Sequence, residues 1–353
     1  MTKRRLPEEI GIFGVLVLVG LIMSMLSPEF MTLGNIQVLM LNGTVVAFLA
    51  LGQTFVLLTG GIDLSVGSNI ALTGMLAAIS MQMGAPWWLA AIVALVAGLL
   101  VGLFNGSIIH FVRLPPFIVT FSTFGIAAAI PQIITGAKSV TVADPMFAIF
   151  GRGSLFGIPI PVLLLAVATV VFMVVLKQTP SGVHIYAVGG NVDASRLAGI
   201  NIGRKILMVY AISGVCAGVG GIITTSRLMV GYPTAGSGNE QFYSIASAVV
   251  GGVSLFGGVG TILGALLGAL LIATVSNGMN VVGVDSFWQP LVIGVIILVG
   301  VSMDAVRRRL ASSGGMTRLF RRPPSTTNPE VNAPKTPPPL DTSGAARSET
   351  TNH

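Results

Sequence analysis

The chain has 353 residues, of which 53% are hydrophobic and only 9% charged, with a mean hydropathy of +0.89. Soluble domains carry about 25% charged residues, so this composition excludes a water-facing globular surface. Nineteen Lys and Arg against twelve Asp and Glu give a net charge of +7, but the basic residues sit at the ends of apolar blocks. That placement points to topology and lipid headgroups and not to nucleic acid.

Lys3, Arg4 and Arg5 precede an apolar run at 10–26. The run is long for a signal peptide, and Ser24–Pro28 lacks a small-residue cleavage pattern, so it is expected to stay as the first span. Further apolar blocks lie at 36–58, 64–83, 87–112, 116–134, 160–177, 206–226, 241–256, 260–282 and 287–304. A spanning helix needs roughly 20 mostly apolar residues, and a helix satisfies its own backbone in lipid. The expected fold is an all-α polytopic membrane protein of about ten transmembrane helices. The block 241–256 is short and fits a broken or re-entrant helix.

Charge placement predicts the orientation. With both termini cytoplasmic, the inside segments hold Lys3, Arg4, Arg5, Arg113, Lys177, Arg196, Arg204, Lys205 and Arg307–Arg309, whereas Lys138, Arg152 and Arg227 fall outside. This is the asymmetry of the positive-inside rule. The expected domains are a cytoplasmic N-terminus at 1–9, a transmembrane domain at 10–304 with a cytoplasmic connection at 178–205, and a tail at 305–353. The tail is basic and then Pro-rich, with too few apolar residues to pack, and is expected to be disordered in the cytoplasm. Its basic start is expected to lie on anionic membrane lipid.

Several chemistries are missing. No Gly-x-x-x-x-Gly-Lys-Ser/Thr loop occurs, so no Walker-type nucleotide site is expected. His110, His184 and His353 lack a second ligand at metal-binding spacing, and Cys216 is the single cysteine, so no metal centre or disulfide is expected. Nothing marks an enzyme. Acids are scarce within the apolar blocks: Asp63 sits at a break and Glu240, Asp285 and Asp304 at span ends. Ion-coupled carriers need such groups to bind the driving ion, so a neutral solute driven from outside the membrane is favoured.

Polar neutral residues inside the apolar blocks are candidates for a hydroxyl-binding path: Asn42, Gln53, Asn69, Asn105, Ser122 and Asn277. Gly60 and Gly61, with Asp63 beside them, allow either a helix broken along a solute path or a tight turn between spans. A similar hexamer, Gly251–Phe256, hints at duplicated halves. Pro115–Pro116 is placed to restart a helix or act as a hinge. The spacings Gly98/Gly102/Gly106, Gly214/Gly218 and Gly264/Gly268 permit close helix packing, or a dimer contact.

In the connection 178–205, the stretch Gly189-Gly190-Asn191-Val192-Asp193-Ala194-Ser195-Arg196-Leu197-Ala198-Gly199-Ile200 predicts a short helix. Asn191 can cap it, Asp193 falls in the first turn, and Gly199 can end it. Such a helix either docks on a partner or is a capped surface helix.

Asp193-Ala194-Ser195-Arg196-Leu197-Ala198-Gly199 resembles the Glu-Ala-Ala-x-x-x-Gly signature of ABC importer permeases, with Asp for Glu and Ser for the second Ala. Leu57–Ser68, Leu114–Thr120, and Pro233–Gly238 followed by Val250–Gly252 are similar to the ribose-type, monosaccharide branch of that family. The resemblance implies a coupling role for Gly189, Gly190, Asn191, Asp193, Ala194, Ser195, Arg196, Gly199 and Ile200 against a cytoplasmic ABC ATPase subunit. It further implies an extracytoplasmic sugar-binding protein, a second permease copy or sister permease, and ATP consumed by the partner, with no cofactor on this chain. The alternative from another class is a stand-alone secondary carrier or facilitator.

Overall fold

The computed structural model describes residues 8–142 and 144–319. Lys3, Arg4 and Arg5, and the tail beyond Leu319 with its Arg321–Arg322 and Pro337–Pro339 stretches, lie outside the described residues. Two compact units divide the chain at Arg307/Arg308. In the second unit the described part is helical backbone to Leu319.

Thirteen α-helices follow in chain order among the described residues: α1 (Glu8–Leu26), α2 (Leu33–Leu58), α3 (Val66–Gln82), α4 (Trp87–Ser107), α5 (Pro116–Thr135), α6 (Ile149–Arg152), α7 (Ile160–Gln178), α8 (Pro180–Gly190), α9 (Val192–Leu197), α10 (Ile202–Leu228), α11 (Glu240–Val250), α12 (Ile262–Val282) and α13 (Trp288–Leu319). Every expected apolar block contains a helix, but only α1, α2, α4, α5, α7, α10 and α12 are both long and apolar enough to cross a membrane. The others fall short for different reasons. α3 stops at 17 residues, α11 at 11, and the apolar part of α13 covers only Trp288–Met303.

The expected boundaries need three corrections. The block 87–112 is not one regular helix: α4 ends at Ser107 and a π turn at Ile108–Val112 carries the chain to Arg113, which is left-handed at φ 62°. The block 241–256 is helical only to Val250, because Gly251–Gly252 and Gly257–Gly258 open the backbone. The last helix continues past 304 to Leu319, since Ala305–Leu319 holds no proline to stop it. Pro116 does restart a helix, as the first residue of α5.

α10 is the central element and packs on α4, α2 and α3. Small residues make this possible. A Cβ added at Gly98 would overlap the Gly214 carbonyl oxygen, and one at Gly102 would overlap the Tyr210 carbonyl oxygen. The two backbones therefore touch, which maximises dispersion contact where lipid gives no hydrophobic drive. Gly264 and Gly268 do the same on α12, against Gly251 and Ser247. These glycines pack helices within one chain.

Outward faces carry large apolar side chains, including Phe13, Leu18, Leu21, Phe117, Phe121, Val167 and Val170. In a bilayer such faces meet solvent of their own kind. Between α5 and α7 the chain forms a strap. Its strand β1 (Val140–Thr141) pairs antiparallel with a strand at Val230–Gly231 that follows α10, and Ser154–Leu155 pairs with Ile158–Pro159 in a hairpin. The strap is fastened to α10 where Arg152 Nε donates to the Arg227 carbonyl at 2.7 Å and Ser226 Oγ donates to the Phe147 carbonyl.

Gly214→Leu should overpack the α4–α10 contact and cost on the order of 1–3 kcal/mol or more. Thermal loss of the monodisperse peak in detergent should move to lower temperature, while Gly125→Leu, whose Cβ position is open, should leave it unchanged.

Candidate functional site

The connection between α7 and α10 folds as two helices, of which the sequence reading anticipated one. Thr179 Oγ1 accepts from Gly182 N at 3.3 Å and Pro180 takes the first turn, so a Thr-Pro pair starts α8. α9 is capped as its sequence predicts: Asn191 is extended, and its Oδ1 accepts from Ala194 N at 2.9 Å. Asp193 lies in the first turn and accepts from Arg196 Nη1 at 3.4 Å. Both are exposed, so the pair contributes little to stability. Gly199 ends the helix at φ +77°, with no atom within 4 Å of a Cβ built there.

α9 is a knob on the surface. Asn191–Ala194 and Arg196–Gly199 are exposed, and Ser195 alone among its residues is buried. Leu197, which sequence reasoning passed over, is 91% exposed.

Behind the knob, three stretches of backbone meet. A Cβ at Gly189 would overlap the Leu58 carbonyl oxygen, which already accepts from Gly258 N at 3.0 Å. Gly258, at φ +74°, lies against the backbone of Gly189 and Gly190, and Gly257, at φ +86°, lies against Gly60 N. Tyr186 Oη donates to the Gly260 carbonyl at 2.7 Å. Burial pushes the Tyr186 hydroxyl above its ordinary value, so it remains a donor at neutral pH. The end of α8 thus sits on both glycine-rich breaks, the one after α2 and the one after α11.

The first break is held by a buried polar network. Asp63 Oδ1 accepts from Ser65 N at 3.0 Å and Ser65 Oγ at 2.6 Å, and Oδ2 accepts from Ser213 Oγ at 2.8 Å. The Gln53 amide, with Nε2 donating to the Asp63 carbonyl and Oε1 accepting from Asp63 N, both at 3.1 Å, satisfies the backbone of the same residue. Asn105 Nδ2 donates to Ser65 Oγ at 2.9 Å, and Thr123 Oγ1 donates to Asn105 Oδ1 at 2.6 Å. Thr120 Oγ1 donates to the Ile62 carbonyl at 3.1 Å. The start of α3 also favours a carboxylate at this position. Four helices, α2, α4, α5 and α10, are tied to one turn.

Of the expected path residues, the structure therefore gathers Gln53, Gly60, Gly61, Asp63 and Asn105 around the first break, as structural partners of each other. Asn42 and Asn277 lie elsewhere and line a cavity of about 260 Å³ between α2, α10, α11 and α12. Asn42 accepts from Arg227 Nη1, and Asn277 Nδ2 donates to Asn35 Oδ1 at 3.0 Å. Asn69 is buried with neither side-chain polar atom bonded among the described residues. Ser122 is exposed on α5 and bonds its own helix at Ile118. The cavity also presents Arg227, Glu240, Tyr243 and Asn280. Arg227 and Glu240 read in the sequence only as charges at span ends, because their convergence depends on how α10 and α11 pack. From Asn42 to Leu58 along α2 is roughly 24 Å at the usual helical rise, so the cavity lies about midway along the helix and well away from the end that α8 meets.

Residues 35–301 match the family described as branched-chain amino acid transport system / permease component. The chain belongs to this family. Its relatives include the D-allose transport system permease protein AlsC of Escherichia coli, 38% identical over 300 residues that cover 84% of this chain and 91% of that protein. The ribose import permease proteins RbsC of Haemophilus influenzae and Bacillus subtilis are 38% and 39% identical, covering 85% and 84% of this chain and 94% and 92% of those proteins. No solved structure matches the chain. The family is one of transport subunits and not of enzymes, and its members are multi-pass membrane permeases.

Removing the centre of the Asp63 network should destabilise this permease strongly. Asp63→Leu leaves the Ser65 and Ser213 donors buried without an acceptor, at about 1–3 kcal/mol each. Ser213→Ala should cost only about 1 kcal/mol. Thermal stability in detergent should rank wild type, S213A and D63L in that order.

Proposed function

We propose that this permease is the membrane-embedded subunit of an ATP-driven importer for a monosaccharide or related polyol in a bacterial cytoplasmic membrane. ATP is hydrolysed by a separate cytoplasmic ABC subunit that docks on α9. An extracytoplasmic sugar-binding protein delivers solute to the opposite face. Two permease copies, or this chain and a sister, form the complete pathway. The relatives' roles in ribose and allose transport support the solute class, and the scarcity of acids within the spans supports a neutral cargo.

In this reading ten helices cross or enter the bilayer, with both termini cytoplasmic. The seven long spans are joined by α3, α11 and the apolar part of α13, each too short for a full span alone. A short helix is compatible with membrane depth where its broken end is buried in protein. The breaks after α2 and α11 meet that condition, since they pack on each other and on α8. The concentration of Lys and Arg on the α9 side supports the orientation.

The observation that carries the proposal is the seating of Gly189 on the Leu58 carbonyl and Gly258. A push on α9 is delivered through α8 to the ends of α2 and α11 without a compliant side chain between. Both helices run on to line the polar cavity. ATP-driven movement of α9 is thereby converted into a tilt of α2 and α11, which is the mechanical requirement of alternating access.

Two substitutions test this. Gly199→Trp places a bulky group in open space, with a backbone strain of roughly 1–2 kcal/mol, and should leave the permease folded but blocked from its ATPase. Sugar uptake should fall to background at unchanged membrane abundance. Gly189→Val must displace the Leu58 carbonyl and should lower thermal stability; at matched membrane abundance it should leave the ATPase bound and hydrolysing while uptake is lost. Wild-type uptake in both variants, or wild-type uptake that survives ATP depletion, would exclude the coupling role and favour a facilitator.

A further inference from the structure

The cavity between α2, α10, α11 and α12 is built from one face of each helix. Asn42, Val45 and Val46 are spaced i, i+3, i+4 on α2; Thr224 and Arg227 are i, i+3 on α10; Glu240 and Tyr243 are i, i+3 on α11. Ala273, Ser276, Asn277 and Asn280 continue the pattern on α12. Four helices aiming mixed polar and apolar faces at one volume is costly within a membrane unless the volume is occupied by something polar.

Its hydrogen-bonding groups are partly committed. Arg227 Nη1 fixes Asn42 Oδ1, Asn277 Nδ2 is fixed on Asn35, and Gln289 Nε2 fixes Asn280 Oδ1 at 2.7 Å. These bonds orient the three amides and leave Asn42 Nδ2, Asn277 Oδ1 and Asn280 Nδ2 for a ligand. Glu240 Oε2 is buried with no partner among the described residues, and no ion pair joins Glu240 to Arg227 there. One carboxylate and one guanidinium facing the same space cancel in charge, so the site discriminates against both anions and cations. Val45, Val46, Ile272 and Ala273 supply apolar wall for C–H faces. A volume of about 260 Å³ lies just below the roughly 300–1,000 Å³ of pockets for drug-sized molecules, and so suits one small ring.

We propose that this cavity is a solute-binding station inside a single protomer, taking one neutral polyhydroxylated ring, with Glu240 and Asn277 Oδ1 accepting from its hydroxyls and Arg227, Asn42 Nδ2 and Asn280 Nδ2 donating to it. The inference rests on the permease reading for its cargo. It departs from that reading in placing a binding site within one chain, apart from the path between copies. The station is coupled to the strap, because Arg227, which holds Asn42, is itself gripped through its carbonyl by Arg152. A protein pressing on the strap therefore acts directly on the cavity.

Equilibrium binding of radiolabelled D-ribose, D-allose and D-xylose to the purified full-length chain in lipid nanodiscs tests the proposal. ATP-driven uptake of the same sugars by the assembled complex is measured in parallel. At least one sugar should bind the wild-type chain and be displaced by its unlabelled form, but not by its phosphorylated form. Glu240→Gln should weaken binding by about tenfold or more, the loss expected for a hydrogen bond to a charged group. Thr224→Phe, which fills the space from a half-buried position, should abolish it. Both variants should keep wild-type thermal stability. Unchanged affinity in both variants, or no binding of any sugar by a wild-type chain whose complex imports that sugar, would overturn the station and leave the importer reading intact. Binding lost in both variants, by a chain whose complex imports nothing with ATP, would uphold the station and remove the importer reading.

Discussion

The meeting of Gly189, the Leu58 carbonyl and Gly258 is the contact on which the rest of the architecture turns. Side chains at this point would separate the surfaces by several ångströms and introduce rotamers that absorb displacement. Backbone against backbone does neither, because packed main chain is stiff and has few alternative arrangements. Glycine is required here for its lack of a side chain at 189 and for its left-handed backbone at 257 and 258. The end of α8 thereby lies in direct backbone contact with the breaks after α2 and α11.

Helix breaks in a membrane are expensive, because each exposes peptide groups that lipid cannot satisfy. At the first break the chain offsets that cost locally. Gln53 bonds both backbone groups of Asp63, Thr120 bonds the Ile62 carbonyl, and the Asp63 carboxylate draws in Ser65 and Ser213. Asp63 is therefore a structural anchor of the broken helix. The same residue pattern that suggests a polar route in the sequence also satisfies the backbone of the break. A second cluster of polar groups lines the cavity around Asn42, some 24 Å away along α2 by the usual rise per residue.

The fold class was legible in the sequence because apolar blocks, Pro116 and the Asn191 cap act through local physics. The small-residue spacings on α4, α10 and α12 were legible for the same reason, as close approach needs only the absence of Cβ. What remained hidden depends on three-dimensional convergence. Tyr186 reaching Gly260, 74 residues away, leaves no periodic trace, and neither does Arg227 reaching Asn42 across 185 positions. Glu240 looked like a span-end charge because nothing local says which way α11 turns it. Asn69, a path candidate by sequence, is buried with its amide unbonded among the described residues, and nothing in the structure explains it.

The central claim is that conformational work done on α9 drives solute movement through the membrane helices. Proteoliposomes holding this chain, its ABC ATPase subunit and its binding protein test it most directly, with ATP hydrolysis and labelled-sugar uptake recorded together. The account predicts that hydrolysis rises only with the sugar-loaded binding protein, that uptake follows it, and that neither occurs without ATP. Sugar movement by the chain alone, at the same rate with or without ATP and ATPase, would contradict it.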